Sequence, residues 1–136
     1  LIGLVGSEMC IRDSLQTLLV EAHHAGRAHS VEAWREGALV GGLYGLSFGS
    51  AFLGESMFHR PPVGRDASKA ALVHLCHGLR EAGYTLLDAQ IKNEHTERLG
   101  VVEWDRHRFE EAFETASLMP DRMGEAIPAI RRGPFG

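Results

Sequence analysis

The sequence predicts a mixed α/β domain of the α+β kind, and three observations carry that prediction. Residues 28–58 hold three short apolar runs separated by glycine-containing turns, the pattern of an antiparallel meander. A helical stripe of Ala71, Leu72, Leu75, Cys76 and Leu79 follows, and another apolar run begins at Tyr84. The chain has 136 residues, one domain's length, and is 44% apolar and 24% charged, the balance of a folded globular protein.

In order along the chain, residues 15–25 place Leu15, Leu18, Leu19 and Ala22 at helical spacing, with Gly26 as the stop. Ala28–Trp34 alternates, with Val31 and Ala33 set against Ser30, Glu32 and Trp34. The turn Arg35-Glu36-Gly37 leads into a second strand, Ala38–Leu46, and Phe48-Gly49-Ser50 turns the chain into a third, Ala51–Phe58. Pro61-Pro62 and Gly64 stop that strand. Asp66 or Ser68 then caps a helix running to about Ala82, and Gly83 ends it. Tyr84–Gln90 is expected as a strand, Glu94–Leu99 as a helical turn, Val101–Trp104 as a further strand and Arg106–Ala116 as an amphipathic helix. Leu118–Gly136 carries Pro120, Pro128 and Pro134 and reads as an irregular tail with one short helix at most.

Residues 1–14 read as a non-native leader. They resemble the translation of a sequencing-library adapter, no methionine begins the chain, and the basic region and cleavage site of a signal peptide are missing. The working domain is then 15–117.

Composition excludes several functions. The formal net charge of −4 is not that of a protein held to nucleic acid by bulk charge. No run of 18 apolar residues occurs, so no membrane-spanning helix is expected. Two cysteines, Cys10 and Cys76, are too few for a disulfide framework and suit the cytoplasm. No Walker loop, nucleophile elbow or paired C-x-x-C is present, and no cofactor is expected. His74 and His77 lie one helical turn apart, but no cysteine or carboxylate cluster completes a metal site; solvated surface histidines and no metal are expected.

Two places could carry chemistry. On a strand, Asp88 and Gln90 point to one face about 6.5–7 Å apart, where a carboxylate and a carboxamide can bind and orient an amine. The competing reading makes Asp88 an ordinary strand-end residue capping the next turn. Glu55 interrupts an apolar strand, so it either faces solvent at an edge or lines a pocket with a partner. Gly54 invites a β-bulge there, which would let Phe52 and Glu55 share a face despite their odd spacing.

Six strings occur in a fixed order: His29-Ser30-Val31-Glu32-Ala33-Trp34, Gly41-Gly42-Leu43-Tyr44-Gly45, Gly54-Glu55-Ser56-Met57-Phe58, Ala67-Ser68-Lys69, Leu87-Asp88-Ala89-Gln90 and His95-Thr96-Glu97-Arg98-Leu99-Gly100. From about His23 to Phe113 the chain resembles the bacterial leucyl/phenylalanyl-tRNA–protein transferases. The resemblance implies a GNAT-like acyltransferase fold, an antiparallel meander followed by a helix and a central strand. It implies transfer of Leu or Phe, with Met as a leak, from aminoacyl-tRNA to proteins beginning with Arg or Lys, which marks them for degradation through the N-degron pathway. It also implies Asp88 and Gln90 as the catalytic pair and Glu55 as a carboxylate of the same pocket. Leu43, Phe52, Leu72, Leu75 and Leu87 would form the pocket for the transferred side chain, Leu75 standing where some members have an aromatic residue. Arg60, Arg65, Lys69 and Lys92 are the candidate contacts to tRNA phosphates. A cytoplasmic monomer without a cofactor is the expectation.

The chain also departs from the family. By the resemblance, an additional N-terminal domain of the family is expected to be missing, Leu19 stands where a tyrosine is usual, and Ser14 where a tryptophan-containing motif belongs. Two other readings compete, an acetyl-CoA-dependent N-acetyltransferase and a non-catalytic remnant that binds peptides with basic N-termini. The segment 60–66 lacks the acetyltransferase pyrophosphate-loop pattern, which weighs against the first.

Overall fold

A computed structural model describes residues 7–62, 64, 66–90 and 94–135, with the side chains of 7–14 and 95 left aside. Helix α1 (Ser7–His24) precedes three strands, β1 (Ala28–Arg35), β2 (Ala38–Phe48) and β3 (Ala51–His59). Helix α2 (Ala67–Glu81) crosses to β4 (Leu86–Asp88), and three helices follow: α3 (Glu94–Arg98), α4 (Arg106–Ser117) and α5 (Met123–Arg132). The mixed α/β architecture is consistent with the acyltransferase-like fold expected from the sequence. Helix α1 starts before Leu15, at Ser7.

The sheet runs β1-β2-β3-β4. The meander is antiparallel, while β4 joins β3 in parallel, as α2 returns the chain to the sheet's starting end. Alternation along β1 and β2 sends Val31 and Leu43 toward α2, whose Leu72, Leu75 and Leu79 complete one core with Phe52. Cys76, read into that stripe, is exposed instead. At the β2–β3 hairpin, Gly49 adopts φ +57°, and a Cβ there would meet the Ala116 carbonyl oxygen at 2.2 Å. Glycine thus lets the hairpin tip press against the end of α4.

Two strand expectations are corrected. Val101–Trp104 does not pair as a strand; Val102 is 67% exposed, and the Arg108 guanidinium lies 4.1 Å from the Trp104 ring centroid. The strand expected over 84–90 pairs only at Leu86–Asp88. The tail holds one short helix, as the sequence allowed, but this α5 is no loose appendage: its Met123, Ala126 and Ile130 belong to the main core. Pro128 did not prevent that helix. Pro128 and Gly124, whose carbonyl loses its N–H partner, are both exposed, so that carbonyl is not sealed away from solvent.

Contact between α5 and α2 is close. A Cβ on Gly78 would lie 2.2 Å from Ile130 Cγ1 and 2.8 Å from the Ala126 carbonyl oxygen. His74, expected in solvent, is partly buried there and donates from Nδ1 to the Ile130 carbonyl at 2.8 Å. At the other end of α5, Tyr84 donates to Asp121 Oδ1 at 3.2 Å and shares a 2.8 Å hydrogen bond with Ser47. The same Asp121 oxygen accepts the Met123 N–H at 2.9 Å, holding the start of the helix.

Burial pushes the Tyr84 phenol above its usual value of 10; the Ser47 bond opposes this and the Asp121 charge adds to it. The folded state therefore holds this proton more tightly than the unfolded chain does. That contribution is complete below pH 10 and is lost as pH rises through the folded-state value. Tyr84→Phe is expected to cost about 1–2 kcal/mol at pH 7 by urea denaturation, with the difference from wild type shrinking above pH 10. A difference that does not change with pH in the alkaline range would refute this account.

Candidate active site

The site forms where β3 and β4 run side by side. Leu53 pairs with Asp88, and just beyond it β3 carries the expected bulge: Gly45 faces Gly54 and Tyr44 faces Ser56, so Glu55 is the extra residue. Past Asp88 the chain turns sharply. Gln90 takes φ +63°, and its backbone N–H donates to Asp88 Oδ1 at 2.8 Å. Asp88 is therefore the turn-capping residue of the competing reading and also borders the cavity. Gln90 does not continue the strand as expected; the turn carries it toward Glu55, and its Nε2 lies 3.5 Å from Glu55 Oε1. That contact is long for a hydrogen bond.

These groups border a cavity of about 280 Å³ between α2, the β3 bulge and the end of β4. Its apolar wall is Leu43, Leu72, Leu75, Leu87 and Met57, and its polar side is Glu55, Asp88, Gln90 and Thr96. Small-molecule sites typically occupy about 300–1,000 Å³, so this one is sized for a single side chain and not for a nucleotide cofactor.

The structure brings together seven of the eight residues expected at the catalytic pair and pocket. The exception is Phe52, which is 0% exposed in the core and faces a larger cavity of about 670 Å³ beside β1 and α5. Its ring lies where a side chain on Gly45 would be. Met57 and Thr96 line the site without having been singled out, although both lie within the quoted strings. Met57 is readable once the bulge is placed, because its cross-strand partner is Leu43. Thr96 arrives on α3, and no periodicity in the sequence points it here.

Arg60 is exposed, and Lys69 pairs with Asp66 at 3.1 Å, while Arg65 and Lys92 lie outside the described residues. Among the described residues, no group of three or more His, Cys, Asp or Glu could hold a metal ion. None of their helices is long and apolar enough to cross a membrane.

The α+β architecture is consistent with an acyltransferase-like fold, and two carboxylates and a carboxamide beside an apolar cavity are groups that could orient an amine. Residues 6–114 match the family model described as leucyl/phenylalanyl-tRNA protein transferase, and the chain belongs to that family. It is 48% identical over 121 residues to the leucyl/phenylalanyl-tRNA–protein transferase of Rhodopseudomonas palustris (strain TIE-1), covering 89% of this chain and 52% of that protein. The protein of the same name from Salinibacter ruber is 55% identical over 102 residues, 74% of this chain and 44% of its own length. That from Maricaulis maris is 46% identical over 132 residues, 90% of this chain and 60% of its own. The chain spans about half the length of these curated relatives.

Proposed function

We propose that this chain carries the aminoacyl-transfer site of its family and moves Leu or Phe, with some Met, from aminoacyl-tRNA to the N-terminal Arg or Lys of acceptor proteins, in the N-degron pathway. The observation that carries this reading is the cavity: leucine walls sized for one apolar side chain open directly onto Asp88, Gln90 and Glu55. The donor is an ester and the product an amide. The acceptor's α-amine attacks the ester carbonyl, the ester C–O bond breaks, and the terminal ribose hydroxyl of the tRNA leaves carrying a proton. Asp88 Oδ1 is occupied by the Gln90 N–H. Oδ2 would accept the incoming amine's N–H and help take its proton, with Gln90 holding the geometry.

An apolar pocket separates side chains by only about 1–3 kcal/mol per methylene, which accounts for the leak to Met. Arg60, Arg65, Lys69 and Lys92 would meet tRNA phosphates, making binding salt-sensitive. On this reading the chain works as a monomer in the cytoplasm, where charged tRNA is made.

The test mixes the chain with radiolabelled Leu-tRNA and peptides beginning with Arg or Ala. Label is expected on the Arg peptide alone, and none when labelled acetyl-CoA replaces the charged tRNA. Absence of label on the Arg peptide would refute the reading for this chain.

A further inference from the structure

We infer that the groove between β1 and α5 takes up the carboxyl-terminal segment of a partner polypeptide, paired as an added strand on β1 with its terminal carboxylate on Arg131. This site is separate from the cavity at Asp88 and does not depend on the transfer reading. Among the described residues β1 pairs with β2 alone, so its outer side is a free sheet edge. The Ser47 N–H donates to the Arg27 carbonyl at 2.7 Å, which sets the phase of the β1–β2 ladder. Ala28, Ser30 and Glu32 therefore direct their N–H and carbonyl groups outward. The Ala28 carbonyl indeed meets a donor from outside the sheet, His23 Nδ1 at 2.8 Å. Ser30 and Glu32 continue the outward row beside the cavity of about 670 Å³.

The floor of that cavity is apolar. Val31, Phe52 and Leu75 line it from the sheet and α2, and Met123, Ile127 and Ile130 from α5. An extended chain laid along β1 would find backbone partners at its side and room for its alternate side chains below. Glu32 does not charge this floor. It lies on the face of β1 away from Val31, where its carboxylate accepts the Ser30 hydroxyl at 3.3 Å and the Trp34 Nε1–H at 3.0 Å. Arg131 decides which part of a chain fits. Ile127, Ile130 and Arg131 stand at helical spacing on one face of α5, which sets a guanidinium at the rim of the groove. Among the described residues Arg131 has no ion-pair partner. An internal segment would use the edge and the floor and leave that charge unanswered, whereas a terminal carboxylate meets all three.

The test is fluorescence anisotropy of the 136-residue chain with the labelled heptapeptide Lys-Lys-Thr-Val-Thr-Val-Leu bearing a free carboxylate. Saturable binding is expected, weakened about tenfold when the peptide is amidated at its end and by a similar factor in Arg131→Gln. Ser30→Pro removes an outward N–H and no bond to β2, so it should weaken binding about fivefold while the protein still unfolds cooperatively. N-methylation of alternate peptide amides probes the same pairing with the protein unaltered and should weaken binding likewise. Binding indifferent to both amidation and Arg131→Gln would overturn the carboxyl-terminal partner. Binding indifferent to N-methylation, or no saturable binding up to about 1 mM, would overturn the added strand. So would a chain that sediments as a dimer and becomes a monomer in Ser30→Pro, because a second copy would then fill the edge. None of these results touches the transfer reading at Asp88.

Discussion

Replacing Asp88 is expected to have the largest effect on activity, and two substitutions divide its roles. Asp88→Asn keeps an oxygen to accept the Gln90 N–H, so the turn survives and unfolding by urea shifts by less than about 0.5 kcal/mol. The charge is gone, however, and with it, on the proposed mechanism, the group that orients the amine and draws off its proton. Transfer should fall by about 10²–10⁴-fold in kcat/KM. Asp88→Ala should lose as much activity and also about 1 kcal/mol of stability, because the Gln90 N–H loses its partner and the left-handed residue its brace. An Asp88→Asn protein with wild-type transfer would show that the carboxylate's charge has no part in the reaction.

Removing α5 is expected to have the largest effect on stability. A chain ending at Ser117 strips Met123 and Ile130 from the core, each worth about 1.5–3 kcal/mol of burial, and leaves His74 without its carbonyl. Against a total stability of about 5–15 kcal/mol, the loss of about 3–6 kcal/mol takes away a large share. The measurement is thermal unfolding by circular dichroism, with a midpoint lowered by about 10 °C or more as the expected result. A truncated chain that melts within a few degrees of the full one would show that α5 merely rests on the surface of α2.

Much of this molecule is legible in its sequence, where local chemistry and periodicity agree. The meander follows from alternation between glycine turns, and the bulge at Glu55 from a glycine beside a carboxylate in an apolar strand. The failures have equally definite causes. Gln90 was assigned by the two-residue period of a strand, but the Asp88 side chain bonds the backbone two residues on and ends the strand first. In α5, Met123, Ala126, Ile127 and Ile130 keep helical spacing, but Pro128 reads as a breaker unless one knows that its turn faces water. Phe52 was read, through the resemblance, into the pocket wall, and it lies in the core instead. Which of two cavities it borders depends on tertiary packing that no local pattern encodes. Val102 and Trp104 have strand-like composition, yet they pair with no other strand.

The parallel joining of β4 to β3 also bears on the order in which the molecule becomes competent. The carboxylate of Glu55 belongs to a hairpin that closes through neighbouring residues, whereas Asp88 comes to it only after α2 has formed and carried the chain back across the sheet. Contacts that close long loops tend to form late, and here one such contact consists of three residue pairs. The meander can therefore exist without a reaction centre, but a reaction centre cannot exist without the meander. On the transfer reading, a partly folded copy would be inert until the last strand has docked.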